Sequence, residues 1–156
     1  MSGKIPMTKK GLEKMKEEVK RLKKEERPKV IQAIAEARAH GDISENAEYE
    51  AAKERQSHVE GKIKWLEDRI ARADVIDTAN HPKDRVIFGA TVFLEDLDNG
   101  EKIKYTIVGE DEADVDNGSI SVTSPIARAL IGKQLDDTAK VITPAGIREF
   151  MILEIS

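Results

Sequence analysis

Residues 44–77 read SENAEYEAAKERQSHVEGKIKWLEDRIARADVID, and the spacing within this stretch decides the architecture of the N-terminal half. Tyr49, Ala52, Gln56, Val59, Ile63, Leu66, Ile70 and Ala73 step alternately by three and four residues. A stripe this narrow is the seam of a coiled coil, in which two positions of each heptad face a partner helix. Gly61 is the one glycine between Ser44 and Asp77, and proline is absent there, so a helix is predicted across the span.

The partner helix lies upstream. Leu12, Met15, Val19 and Leu22 step by three, four and three, and the register resumes past Pro28 at Ile31, Ile34 and Ala35. Thr8 is the expected N-cap of this segment. Pro28 should kink or loosen the helix, because it lacks an N–H and its ring crowds the preceding turn. Only His40, Gly41, Asp42 and Ile43 separate the two segments, and Gly41 suits the left-handed residue that ends a helix. A break this short makes the helices antiparallel neighbours. Two helices of about 32 residues, at about 1.5 Å per residue, make a rod about 48 Å long with its tip near 41–46. Residues 1–40 carry an excess of basic side chains and 41–77 an excess of acidic ones, which favours side-by-side pairing.

Beyond Thr78 the texture changes. Pro82, Gly89, Gly100, Gly109, Gly118, Pro125, Gly132, Pro144 and Gly146 punctuate the chain at the interval of a short-stranded domain. Strands are predicted at Ala90–Leu94 and Lys102–Val108, around the turn Asp98-Asn99-Gly100, and at Ile120–Thr123. Ser124 and Pro125 should open a helix as N-cap and N1, and strands at Ala139–Thr143 and Ile147–Ile155 complete a mostly antiparallel sheet with one helix. The acidic run Glu110–Asp116 reads as a solvated loop. The expected fold is therefore α+β. Its parts are an antiparallel coiled-coil hairpin over 1–77, a linker over 78–84 and a small sheet domain over 85–156.

Composition excludes several functions. The 156 residues contain no cysteine, so disulfides, iron–sulfur clusters and cysteine-bound zinc are absent. No run of 18 apolar residues exists, and the first ten residues carry no apolar signal core, so a cytoplasmic protein is expected. The net charge of −4, with its excess of acid in the C-terminal half, is not that of a uniformly basic nucleic-acid binder. Phosphate-loop, dinucleotide and nucleophile-elbow motifs are all absent.

Chemistry concentrates at the hairpin tip. Asp42 and Glu45 lie three apart at a helix start, a spacing that fits two roles. One is a capping box, with Asp42 as N-cap and Glu45 at N3. The other is metal binding or general-base work by acids presented at the end of a rod. Two carboxylates are too few for the octahedral shell of Mg²⁺, so such a site needs ligands from a partner. Arg38, Lys53 and Arg55 flank the tip and can either hold a phosphate backbone or pair along their own helices.

The run AEARAHGDISENAEYEAAKE, residues 35–54, resembles the tip signature of bacterial transcript cleavage factors of the Gre family. Three further stretches match in the family's order: Ile5 to Thr8, VIFGATV at 86–92, and ISVTSPIARALIGK at 120–133 preceded by GEDEAD at 109–114. The modest basicity of the hairpin is closer to the GreA branch than to the GreB branch. The resemblance implies a coiled-coil hairpin joined to a domain similar to FKBP-type prolyl isomerases, without isomerase activity. It implies that the C-terminal domain docks on RNA polymerase and that the hairpin enters the secondary channel. There the factor stimulates the polymerase's own cleavage of the 3′ end of backtracked nascent RNA, with no complete active site of its own. By position, Asp42 and Glu45 are the acids that help the polymerase hold a shared Mg²⁺. Ser44 and Asn46 support the tip, and Arg38 and Lys53 contact RNA. No membrane and no sequence-specific DNA are implied as partners. On the residues alone two rivals stay open: a channel-occupying regulator or coiled-coil adaptor that gives no catalytic help, and a stand-alone Mg²⁺ nuclease.

Overall fold

A computed structural model describes residues 3–40, 46–78 and 83–156. They fall into two compact units, one built mainly from Leu12–Ala73 and the other from Lys4–Gly11 with Asp74–Ser156.

In the first unit, Pro28 governs the helix that contains it. Strand β1 (Ile5–Met7) belongs to the second unit; after it come α1 (Lys9–Arg21), which runs from Leu12 in the first unit, a π-helical turn at Leu22–Glu26, and α2 (Arg27–Ala39). Arg27 N–H donates to the Leu22 carbonyl, five residues back. The wider turn sits directly upstream of the proline, where an α-helix would press the ring against a carbonyl. Glu26 and Arg27 keep helical dihedrals, so the chain changes helix type rather than breaking. The turn also inserts one residue into the heptad. Met15 and Leu22 are seven apart, Leu22 and Val30 eight, and Val30 and Ala37 seven, yet all are buried, as is Ile34. The expected continuation through Ile31 and Ala35 is therefore displaced: Ile31 is 54% exposed and Ala35 is exposed.

Helix α3 (Ala47–Ala71) buries Ala52, Ile63 and Leu66, with Tyr49, Val59 and Ile70 half-buried, which is the expected seam. Val30 and Ile34 pack with Ala52, Tyr49 and Val59. Cross-helix ion pairs give the direction: Lys23 Nζ meets Glu67 Oε2 at 3.0 Å, and Arg27 meets Glu60 through Nη2 at 2.7 Å and Nε at 2.8 Å. Partner numbers fall as residue numbers rise, so the helices are antiparallel. At 25 residues, α3 is about 37 Å long. It is shorter than expected because Ala73–Val75 forms strand β2, which pairs with β1.

The forked hydrogen bonds from Arg27 hold the Glu60 carboxyl below its usual value. A depressed folded-state value contributes stability above the ordinary carboxylate range, and that contribution is lost as pH falls through the depressed value. Acidification is thus expected to lower the unfolding temperature of the parent chain more than that of a Glu60→Gln chain, read by circular dichroism across a pH series.

In the second unit, β3 (Thr91–Asp96), β4 (Lys102–Val108), β5 (Ser119–Ser121), β6 (Thr138–Thr143) and β7 (Gly146–Ile155) form one sheet in the order β5-β4-β3-β7-β6. All pairings are antiparallel except β4 with β5, which is parallel. The sheet is thus mixed at one edge, because β5 returns from a loop rather than a hairpin. Alternate residues Val92 and Leu94 of β3 are fully buried and pack with Ile107, Ile152 and Leu130 of α4 (Pro125–Leu130). Ser124 caps α4 as expected, accepting from Ala127 N–H at 3.3 Å. The acidic run after β4 is not wholly solvated: Glu112 is half-buried, and its carboxylate accepts hydrogen bonds from Thr8 and Gly109.

Candidate functional site

Asn46 bridges the two helices of the hairpin. Its side-chain oxygen accepts from Tyr49 N–H at 3.1 Å, making it the N-cap of α3. Its amide nitrogen donates to the Ala37 carbonyl at 2.6 Å, in the last turn of α2. One side chain thus satisfies an orphan donor of one helix and adds a second hydrogen bond to a carbonyl of the other, which already accepts from His40 N–H at 3.2 Å. Beside it, His40 Nδ1 lies 2.9 Å from Glu48 Oε2. The Arg38 guanidinium carbon sits 5.7 Å from the centre of the Tyr49 ring, a cation–π distance that splays the charge over the aromatic face.

Of the residues singled out in the sequence, Asp42, Ser44 and Glu45 lie outside the described residues. Asn46 and Arg38 meet around Tyr49, since one caps its N–H and the other covers its ring. Lys53 is exposed one turn further along α3, its Nζ 3.1 Å from Gln56 Oε1. Arg55 lines an open cleft on the hairpin shaft with Leu22, His58 and Lys62. Among the described residues, no group of three or more His, Cys, Asp or Glu could hold a metal ion. The capping role of Asn46 was missed in the sequence. Asp42 with Glu45 matches the capping-box pattern, whereas Asn46 lacks an acidic residue at N3 and carries only the weaker signal of an asparagine before a helix.

Asn46→Ala should lower stability by about 1–2 kcal/mol, because it removes both the cap and the link to α2. Asn46→Asp should recover the cap but not the bond to the Ala37 carbonyl, and so fall between the two. Thermal unfolding of the three chains checks the order.

Two family models match the chain: "Transcription elongation factor, N-terminal" over residues 5–75, and "Transcription elongation factor, GreA/GreB, C-term" over residues 81–156. A transcription elongation factor GreA of Anaeromyxobacter sp. (strain K) is 59% identical over 97% of this chain and 92% of its own length. The GreA of Trichlorobacter lovleyi is 58% identical over 99% of this chain and 98% of its own. A solved structure of the transcription factor Gfh1 covers 99% of both chains at 29% identity, with a TM-score of 0.49. With both halves matched in order and relatives similar over nearly their whole length, the chain belongs to the GreA/GreB family of transcription elongation factors.

Proposed function

We propose that this chain enters the secondary channel of RNA polymerase and stimulates the polymerase's own endonucleolytic cleavage of the 3′ end of backtracked nascent RNA, so rescuing arrested complexes. The observation that carries the reading is the cap of α3. Asn46 fills that position, so the helix does not need Asp42 and Glu45 for capping, and two acids are left for chemistry at the tip.

Carboxylate oxygens are hard donors that suit Mg²⁺, but two of them leave an octahedral shell incomplete. The set therefore fits an ion shared with the polymerase rather than one held by this chain alone. When bound, such an ion supplies Lewis-acid polarisation and an acidified water. The residues of this chain act around that chemistry. Asp42 and Glu45 present negative charge at the tip. Asn46 fixes the helix end that follows them, while Ser44 lies between them in sequence. Arg38 and Lys53 supply positive charge toward an RNA phosphate backbone, Arg38 from a position over the Tyr49 ring. Hydrolysis belongs to the polymerase; the factor is not proposed as an enzyme, and it works in the cytoplasm with that partner. No helix among the described residues is long and apolar enough to cross a membrane.

A backtracked elongation complex with labelled RNA tests the proposal. Short 3′ fragments should appear only when factor, polymerase and Mg²⁺ are all present. Fragments made by the factor without polymerase, or none with it, would overturn the reading.

A further inference from the structure

We infer that Glu112 is a positioning residue for this function: its carboxylate completes, from 104 residues away, the cap of the hairpin's first helix. The inference rests on the proposed role of the hairpin tip. Thr8 is the N-cap of α1, its hydroxyl accepting from Gly11 N–H at 3.0 Å. In an ordinary capping box, the side chain three residues on would reach back to the N–H of the cap residue. Here that position is Gly11, which has no side chain. Glu112 Oε2 takes the Thr8 N–H instead, at 3.0 Å, and Glu112 Oε1 takes the Thr8 hydroxyl. The Thr8 hydroxyl therefore donates to Glu112 while accepting from Gly11. Glu112 Oε2 also accepts from Gly109 N–H at 2.9 Å, which pins the loop that carries it.

Two glycines make room for this clip. A Cβ at Gly11 would collide with the Glu112 carboxylate, and a Cβ at Gly109 would collide with the Pro6 carbonyl oxygen and crowd Glu112 Oε2. All of these residues belong to the second unit, while α1 continues past Gly11 into the first. The clip thus sits where the first helix of the hairpin leaves the second unit. A tip that must present acids to a partner's active site depends on how firmly its root is held.

The test measures transcript cleavage against factor concentration, together with amide hydrogen exchange of the free protein. Glu112→Ala is expected to lower the maximal cleavage rate at least fivefold while the half-saturating concentration changes less than twofold. Its Thr8 and Gly109 amides should exchange at least tenfold faster, with β3 and β7 amides unchanged. Glu112→Gln should restore both readouts, because the amide oxygen can accept from Thr8 and Gly109 and the amide nitrogen can donate to the Thr8 hydroxyl. Gly11→Ala should favour the helix yet reproduce the loss of rate. The chain carrying both Gly11→Ala and Glu112→Ala should be no worse than Glu112→Ala alone. A full maximal rate for Glu112→Ala, or Thr8 and Gly109 amides that exchange as slowly as in the parent, would overturn the inference. If the unmodified chain releases no fragments, it is the proposed function that fails, and this role with it. The exchange data would then judge the clip separately.

Discussion

Asp42→Asn is expected to leave polymerase binding intact and to lower fragment release at least about 100-fold, equivalent to about 2.7 kcal/mol of transition-state stabilisation. The substitution keeps the size of the side chain, removes its charge and replaces one acceptor oxygen with an NH2 donor, while the other oxygen can still accept. Asparagine is as good an N-cap as aspartate, and α3 is capped by Asn46 in any case. The variant should therefore unfold within about 0.5 kcal/mol of the parent. Glu45→Gln should behave alike. Loss of polymerase binding in step with cleavage would mean that these residues shape the tip rather than assist hydrolysis. Undiminished cleavage would move the chemistry to other groups. Order-of-addition assays with purified polymerase, read beside a binding competition, separate these outcomes.

Arg148→Met should be among the most destabilising surface substitutions in the second unit. Asp96 is the one buried polar or charged residue among those described, with no exposed area, at the end of β3. Its Oδ1 accepts from Asp98 N–H at 2.9 Å, and its Oδ2 is paired with the Arg148 guanidinium of β7. The Arg148 guanidinium also lies over the Phe150 ring, 5.8 Å from its centre. Methionine would retain much of that packing and leave the carboxylate buried without its cation, at a cost of roughly 3 kcal/mol. For a unit of this size the unfolding temperature should fall by more than about 10 °C. Combining Arg148→Met with Asp96→Asn should recover part of the loss, because the neutral amide keeps the bond from Asp98 without needing a counter-ion. A double variant that unfolds at the sum of the two single losses would show that the pair is not coupled.

Much of this is legible in the sequence. The α3 seam follows from three-four spacing, because a helix that buries a narrow stripe must repeat apolar residues at that interval. The strands after Thr78 and the Ser124 cap of α4 follow from local turn and capping chemistry, which depends on neighbours in sequence. The acids at the tip were recognisable by residue type and by resemblance. Which of the tip residues caps α3 was not, because Asp42 and Asn46 both carry good capping side chains. The choice depends on where the helix begins, and the added bond from Asn46 to the Ala37 carbonyl crosses to the other helix.

What the sequence determined by itself is what short-range chemistry controls: two helical segments long enough to pair, a break that folds them back, a short-stranded domain, and a charged tip. What only the tertiary structure decided involves partners distant in sequence. The π turn before Pro28 keeps the expected Ile34 buried but brings Val30 and Ala37 to the seam in place of Ile31 and Ala35. The parallel pairing of β5 depends on a strand reached through a loop. The cap of α1 is completed by Glu112, which no spacing rule connects to Thr8, since a hydrogen bond between groups 104 residues apart exists only once the chain between them has folded.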